Sequence, residues 1–293
     1  MQLSILSFYI ANPLIICYTD SMNTLQKYTC GKIYAKHEIS EAPQSKKFRM
    51  HLHSTFEIFF FISGDVEYIV EGTKYNLQKN DILLIRPSES HMPYIKKNVR
   101  YERYVLNFPE SLLKDADPEG RLLRVFTNRP LGQANLYSAT QLRGLDIESL
   151  LRNICYRDED NYEKNLRILT SALLILDALS SVRKKRISPT QSSSRENQIV
   201  NYVNAHLFDR ITTNTLAQHF FLSIAQFNRI FKDATGTSVK AYVNAKRLIH
   251  AKEQIKNGLS AGEAAMANGF SDYTSFYRAY KKYFSFAPSE DQT

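Results

Sequence analysis

The sequence predicts two domains: an all-β barrel or sandwich with a helical extension, followed by an all-α domain built from two copies of one small helical module. Three observations carry this prediction. Residues 29–108 alternate short β-branched and aromatic runs with turn signals. From about Pro109 the apolar spacing changes to the three-and-four rhythm of a helix. Near the C-terminus a Phe-x-Arg-x-(Phe/Tyr)-Lys unit occurs twice, 49 residues apart. A chain of 293 residues, 43% hydrophobic and 23% charged, is long for one domain and ordinary for two.

Residues 1–28 are expected to be an extension or an added strand. Their apolar stretch LSILSFYIANPLIICY has no Lys or Arg before it, as a secretion signal would, and Asn12-Pro13 interrupts it. It is also shorter than the ~20 apolar residues of a membrane span. No membrane partner is therefore expected, and Met22 is a candidate alternative start. Residues 29–120 form the predicted barrel, with turns at Ser63-Gly64-Asp65, Glu71-Gly72 and Lys79-Asn80-Asp81. Residues 121–182 read as helical. Within Leu166 to Val182, the residues Ile168, Leu169, Ala172, Leu173, Leu176 and Leu179 make one stripe, which serves either the domain's own core or a dimer seam. The run RKKRISPTQSSSR at 183–195 is basic, rich in serine and broken by Pro189, which marks it as a linker. Residues 196–293 are helical to the end. Three scattered cysteines, Cys17, Cys30 and Cys155, have no metal-ligand spacing and read as idle thiols in a reducing compartment, the cytoplasm.

The repeat carries the functional reading. In FNRIFK, Phe227, Ile230, Phe231 and Ala234 fall on one helical face, leaving Ala225, Asn228, Arg229 and Lys232 on another. In FYRAYK, Phe276, Ala279, Tyr280 and Tyr283 can pack, while Thr274, Tyr277, Arg278 and Lys281 point out beside Tyr273. A short helix and a tight break precede each unit. Thr213 or Asn214, then Ser223, are expected N-caps in the first copy. Ser260 with Glu263 as a capping box, then Ser271 or Asp272, are expected in the second. Helix, turn and a second helix with an exposed basic row is the helix-turn-helix pattern, whose second helix enters the major groove of double-stranded DNA. Charge agrees: residues 183–293 hold 16 Lys and Arg against 8 Asp and Glu, whereas the first 182 hold 22 against 21.

Residues 195–293 resemble the DNA-binding domain of the AraC family of transcription regulators. The resemblance rests on Leu216-Ala217, Ser223, Arg229 to Lys232, Gly236, Tyr242, Arg247-Leu248, Ala251, Leu259, Gly269 to Asp272, Ser275 to Arg278 and Pro288. It implies two helix-turn-helix modules joined by a long helix at about Val239 to Lys256, with RNA polymerase as a further partner. Two positions depart from the family pattern: Ala264 stands where Ile is common, and Ser285 where Gly is common. The second departure places a serine at a left-handed helix end.

In the front half, HLHSTFEIFFFISG sets His51, His53 and Glu57 at the spacing of one strand face, and His91 can add an imidazole from a neighbouring strand. This resembles a cupin motif, and cupin-like sensor domains commonly precede AraC-type DNA-binding domains. The four residues read either as the lining of a small-molecule effector pocket, with no cofactor expected, or as ligands for a divalent metal such as Fe(II), Mn(II) or Zn(II). The chain is thus expected to be a homodimeric, effector-responsive regulator and not an enzyme. The competing class is a cupin-type metalloenzyme, an oxygenase or isomerase, with a helical docking tail.

Overall fold

The computed structural model describes residues 23–30, 33–45, 48, 50–142, 144, 146–156, 161–182 and 195–291. The chain divides into a barrel unit over Tyr18–Met50 and Ser54–Asn197 and a C-terminal unit over Gln198–Thr293, with which His51–His53 group. The apolar stretch within residues 3–18, the alternative start Met22, Cys17 and the linker stretch 183–194 lie outside the described residues.

The barrel unit contains β1 (Asn23–Cys30), β2 (Ile33–Ser40), β3 (Phe56–Ser63), β4 (Val66–Val70), β5 (Thr73–Asn76), β6 (Ile82–Ile85), β7 (His91–Ile95), β8 (Tyr101–Phe108) and β9 (Leu136–Tyr137). Strand structure therefore starts at Asn23, six residues ahead of the expected Thr29. One sheet has the order β1-β2-β8-β3-β6-β9 and the other β5-β4-β7. Neighbouring strands are antiparallel. The sequence turns fall between strands: Glu71 and Gly72 both take positive φ, 49° and 80°, in the two-residue β4–β5 hairpin.

Why β3 reads as almost unbroken apolar sequence is explained by its two covers. Phe56, Ile58 and Phe60 face a core shared with α1 (Arg124–Thr127), α2 (Ile147–Tyr156) and α3 (Asn161–Ser181). Phe59 and Phe61 face the opposite way, into a second core with Val66, Tyr68 and Ile95 of the smaller sheet. A strand buried on both sides loses the inside-outside alternation of a half-exposed sheet. The predicted stripe Ile168, Ala172, Leu176 and Leu179 belongs to the first core, with Leu169 and Leu173 packed against it. Cys155 is buried there, and burial pushes its thiol up to about 12.

The C-terminal unit is helical: α4 (Arg195–Ala205), α5 (Thr213–His219), α6 (Ile224–Thr235), α7 (Val239–Lys256), α8 (Ala261–Ala267) and α9 (Tyr273–Phe284). Arg195 begins α4 and so belongs to a helix, not to the linker. α7 has the bounds expected from sequence and is the spine of the unit. Its Val239, Tyr242 and Val243 join the core of α4, α5 and α6, and its Ala245, Leu248, Ile249, Ala251 and Ile255 join that of α8 and α9. Arg247 sits between the two cores. Its guanidinium donates to Leu207 O, Asp209 O and Gly269 O, each at 2.7 Å, tying the segment before α5 to the turn after α8. Burial lowers the pKa of this guanidinium. The first cap differs from expectation: Thr212, not Thr213 or Asn214, closes a capping box with Thr215, because its side chain accepts from the Thr215 N–H while Thr215 reaches back.

Candidate nucleic-acid interface and sensor interior

α6 is capped by Ser223, whose hydroxyl accepts from Gln226 N at 3.2 Å while the Gln226 side chain accepts from Ser223 N at 3.1 Å. Phe227, Phe231 and Ala234 are buried and Ile230 is half-buried. Ala225, Asn228, Arg229 and Lys232 are exposed together on the other side. In α9 the Asp272 carboxylate caps Ser275 N at 2.7 Å, and that hydrogen bond lowers its pKa. Phe276, Tyr280 and Tyr283 are buried; Tyr273, Thr274, Arg278 and Lys281 are exposed, and Tyr277 is half-buried. Among the described residues no ion pair engages Arg229, Lys232, Arg278 or Lys281. Both helices thus anchor themselves with rings and leave an unneutralised cationic row outward, which suits contact with phosphates and base edges. Ile224, in the first turn of α6, is a further exposed residue of this helix that the sequence pattern did not single out, and Phe221, in the turn just before it, is exposed as well. The 49-residue offset that pairs Ile224 with Tyr273 was the available signal for the first.

Within the barrel unit, the face of the large sheet that bears Phe59 and Phe61 also carries charge. Glu38 of β2 and Arg103 of β8 are direct cross-strand partners, 2.6 Å apart, and Lys36 lies 2.7 Å from Glu38. Glu57 and Asn107 are likewise cross-strand partners, with Asn107 Nδ2 donating to Glu57 Oε2 at 2.9 Å. All five are buried. Burial alone would raise the Glu38 carboxyl, but Lys36 and Arg103 outweigh it and hold the pKa below the ordinary value. His91 of β7 is fully buried; its Nδ1 lies 2.8 Å from Glu89 O and its Nε2 3.8 Å from Glu57 Oε2. Because a carbonyl oxygen only accepts, Nδ1 carries the proton and Nε2 is the atom facing the Glu57 carboxylate.

The expectation that His51, His53 and Glu57 share one strand face fails. β3 begins at Phe56, because a bend at Ser54-Thr55 breaks the extended run, so the period-2 relation does not reach back to the histidines. The rings of His51 and His53 lie 6.2 Å apart, and one ring nitrogen from each of His51, His53 and His91 lies within 4.8 Å of the others, so three of the four expected residues come together although the strand relation to Glu57 is lost. Lys36, Glu38, Arg103 and Asn107 were missed by sequence reasoning. Their signal was charged residues two apart inside otherwise apolar strands, IYAKHEIS and YERYVLNF. An open groove of about 570 Å³ lies at the other end of β3, near Gly64, Gln78 and Lys96, away from Glu57.

The fold and these surfaces define a DNA-binding regulator with a β-rich ligand-binding domain ahead of paired helix-turn-helix modules. Comparison with known proteins specifies it further. An AraC-like ligand binding domain model matches residues 37–174, and a helix-turn-helix domain model matches residues 216–293. The chain belongs to the AraC family of transcription regulators. It is 23% identical over 253 residues to the HTH-type transcriptional activator RhaS of Salmonella arizonae, covering 83% of this chain and 87% of that one. The Escherichia coli protein of the same name is 22% identical over 248 residues, at the same coverage. Among solved structures, ToxT from Vibrio cholerae aligns over 88% of this chain and 97% of its own, at 13% identity and a TM-score of 0.35. The chain is accordingly a ligand-responsive, DNA-binding transcription regulator. No described helix is long and apolar enough to cross a membrane.

Proposed function

We propose that α6 and α9 read two successive major-groove segments of one promoter site through Ala225, Asn228, Arg229 and Lys232 and through Tyr273, Thr274, Tyr277, Arg278 and Lys281. The observation that carries this is the pair of exposed cationic rows, free of ion pairs within the described residues, on two helices braced by one spine. Arginine discriminates guanine, and asparagine adenine, by two hydrogen bonds worth ~1–3 kcal/mol. Successive segments lie about one helical turn, ~34 Å, apart, so the site is long and, for one chain, asymmetric. The test is a mobility-shift titration of Arg229→Ala and Arg278→Ala on a duplex selected by the wild-type chain. Each variant is expected to bind roughly 5- to 150-fold more weakly; unchanged affinity in both removes these helices as readers.

The effector in this reading is a small molecule that enters the barrel interior and engages the Lys36, Glu38, Glu57, Arg103, Asn107 and His91 set. It changes DNA binding only by favouring one of two states. A second reading, a divalent metal, is supported by one ring nitrogen from each of His51, His53 and His91 lying within 4.8 Å of the others, with Nδ1 of His91 held on Glu89 O. Metal analysis decides it: a preparation free of transition metal after supplementation removes the idea. Two copies associate as a homodimer through α3, whose Tyr162, Leu166 and Leu174 are 76%, 50% and 56% exposed. Activation through RNA polymerase, a cytoplasmic location and the absence of enzymatic turnover complete the reading. Turnover by a metal-loaded preparation would favour the cupin-type metalloenzyme instead.

A further inference from the structure

The two helix-turn-helix turns are built by the same hydrogen bonds. In the first, Phe220 N, Phe221 N and Leu222 N donate to Leu216 O, Gln218 O and Ala217 O. In the second, Asn268 N, Gly269 N and Phe270 N donate to Ala264 O, Met266 O and Ala265 O. The matching offset is 48 residues up to this point and 49 in the helices that follow, because Ser271 adds one residue before the Asp272 cap. Phe221 therefore occupies the position of Gly269. Both are left-handed, at φ +54° and +73°.

Glycine is the residue such a position favours, and the second module uses it; a Cβ there would also meet Phe208 O at 2.6 Å. The first module instead holds a bulky aromatic in the left-handed region. Its side chain is 94% exposed, with no ring contact among the described residues. Backbone strain and an exposed apolar ring thus coincide at one residue, and no ring contact among the described residues compensates for them. Such an outlier points to an external contact.

The identity of that contact follows from what adjoins it. Phe221 stands two residues before the Ser223 cap. Ile224, 47% exposed, opens α6 and lies one turn before Asn228, which lies one turn before Lys232. Ile224 is thus continuous with the polar and basic row along α6, Phe221 precedes it by three residues across the cap, and α9 opens on the exposed Tyr273 at the place equivalent to Ile224. We propose that Phe221, with Ile224 beside it, is an apolar reader that seats against thymine 5-methyl groups at the edge of the segment read by α6. Apolar side chains recognise that methyl in the major groove. The proposal rests on the reading of α6 as a DNA-contacting helix.

The experiment uses the full chain and a duplex selected by it from a random library, with thymines replaced singly by 2′-deoxyuridine to delete one methyl each. Phe221→Gly suits the left-handed turn, so its unfolding midpoint should be no lower than that of the wild type. At one or two adjacent positions the wild type should lose about fourfold in affinity, the size of burying one methyl-sized group. Phe221→Gly should already be weaker by about that factor and indifferent to deoxyuridine at those positions. Equal affinity of both proteins for the parent duplex overturns the proposal. So does a weaker variant that still responds to every substitution as the wild type does, or a variant that binds DNA normally and loses only transcription. Arg229→Ala is run in parallel. If it weakens binding and Phe221→Gly does not, the apolar reader fails and the α6 reading stands; if neither weakens binding, the α6 reading itself fails.

Discussion

Glu89 is the residue whose replacement tests the barrel unit most directly. Its side chain is fully buried and accepts from Arg129 Nη1 at 2.6 Å, Arg129 Nη2 at 2.8 Å, Gly132 N at 2.9 Å, Asn135 Nδ2 at 3.0 Å and Arg86 N at 3.1 Å. Burial by itself would raise the carboxyl, but the hydrogen bonds and charge of Arg129, with the backbone donors, hold it below the ordinary value. Glu89→Gln removes the charge while keeping the shape, leaving a buried guanidinium uncompensated. Breaking one side of such a pair costs ~3–5 kcal/mol. Arg129 retains Leu84 O, Gln133 O and Asn135 Oδ1 as acceptors, which argues for the lower end, about 3 kcal/mol. For a unit of this size that is a fall in unfolding midpoint of roughly 6–12 °C. The chain has 18 Tyr and no Trp, so urea unfolding is followed by circular dichroism and tyrosine emission. The loss should fall on one transition, because the network lies wholly in the barrel unit. Glu89→Leu with Arg129→Met should recover much of it, since replacing both charges leaves no orphan. A loss under about 1 kcal/mol for Glu89→Gln would refute the reasoning, because water would then be reaching Arg129.

Three further outcomes follow from the same geometry. Ser285 caps α9 at φ +69°, where the equivalent end of α6 uses Gly236 at φ +70°, so Ser285→Gly should stabilise the C-terminal unit. The gain is roughly 0.5–1 kcal/mol, the left-handed strain less the extra freedom glycine brings to the unfolded chain; a lower melting temperature contradicts it. Burial lowers the pKa of His37, against the pull of Glu102, and of His250, where Lys246 adds to it. The unfolded chain then binds more protons just below pH 6.5, so stability is held above that pH and lost as pH falls through it, with Glu38 and Glu89 adding losses of the same sign below 4.5; a midpoint constant from pH 7 to 5 would contradict this. Finally, if Lys232 and Lys281 contact phosphates, each alanine variant should reduce the log-log salt slope of DNA binding by ~0.9 without changing base preference. An unchanged slope in both would take them off the backbone.

The C-terminal unit was largely legible because its elements are local. Caps, helix periods and the repeat all act within a few residues, so the bounds of α7, the Ser223, Ser260 and Asp272 caps and the exposed rows of α6 and α9 could be read directly. The barrel unit was less legible, because its pairs are distant in sequence. Nothing near Glu38 announces Arg103, 65 residues on, and nothing near Glu89 announces Arg129. The strand-face relation of His51 and His53 to Glu57 failed for a related reason: a period-2 argument holds only while the chain stays extended, and the bend at Ser54-Thr55 ends it, while the two histidines meet His91, about forty residues on, as the sequence reading grouped them.

By itself the sequence determined that two helical modules present cationic rows behind which aromatic rings pack, since helical spacing alone divides each segment into an inner and an outer face. Only the tertiary structure decided which polar groups meet inside the barrel, that β3 is covered on both faces, and that Phe221 rather than glycine holds a left-handed turn with its ring in solvent. Those outcomes depend on strand register and backbone torsion, which arise when distant segments pack and which no local spacing specifies.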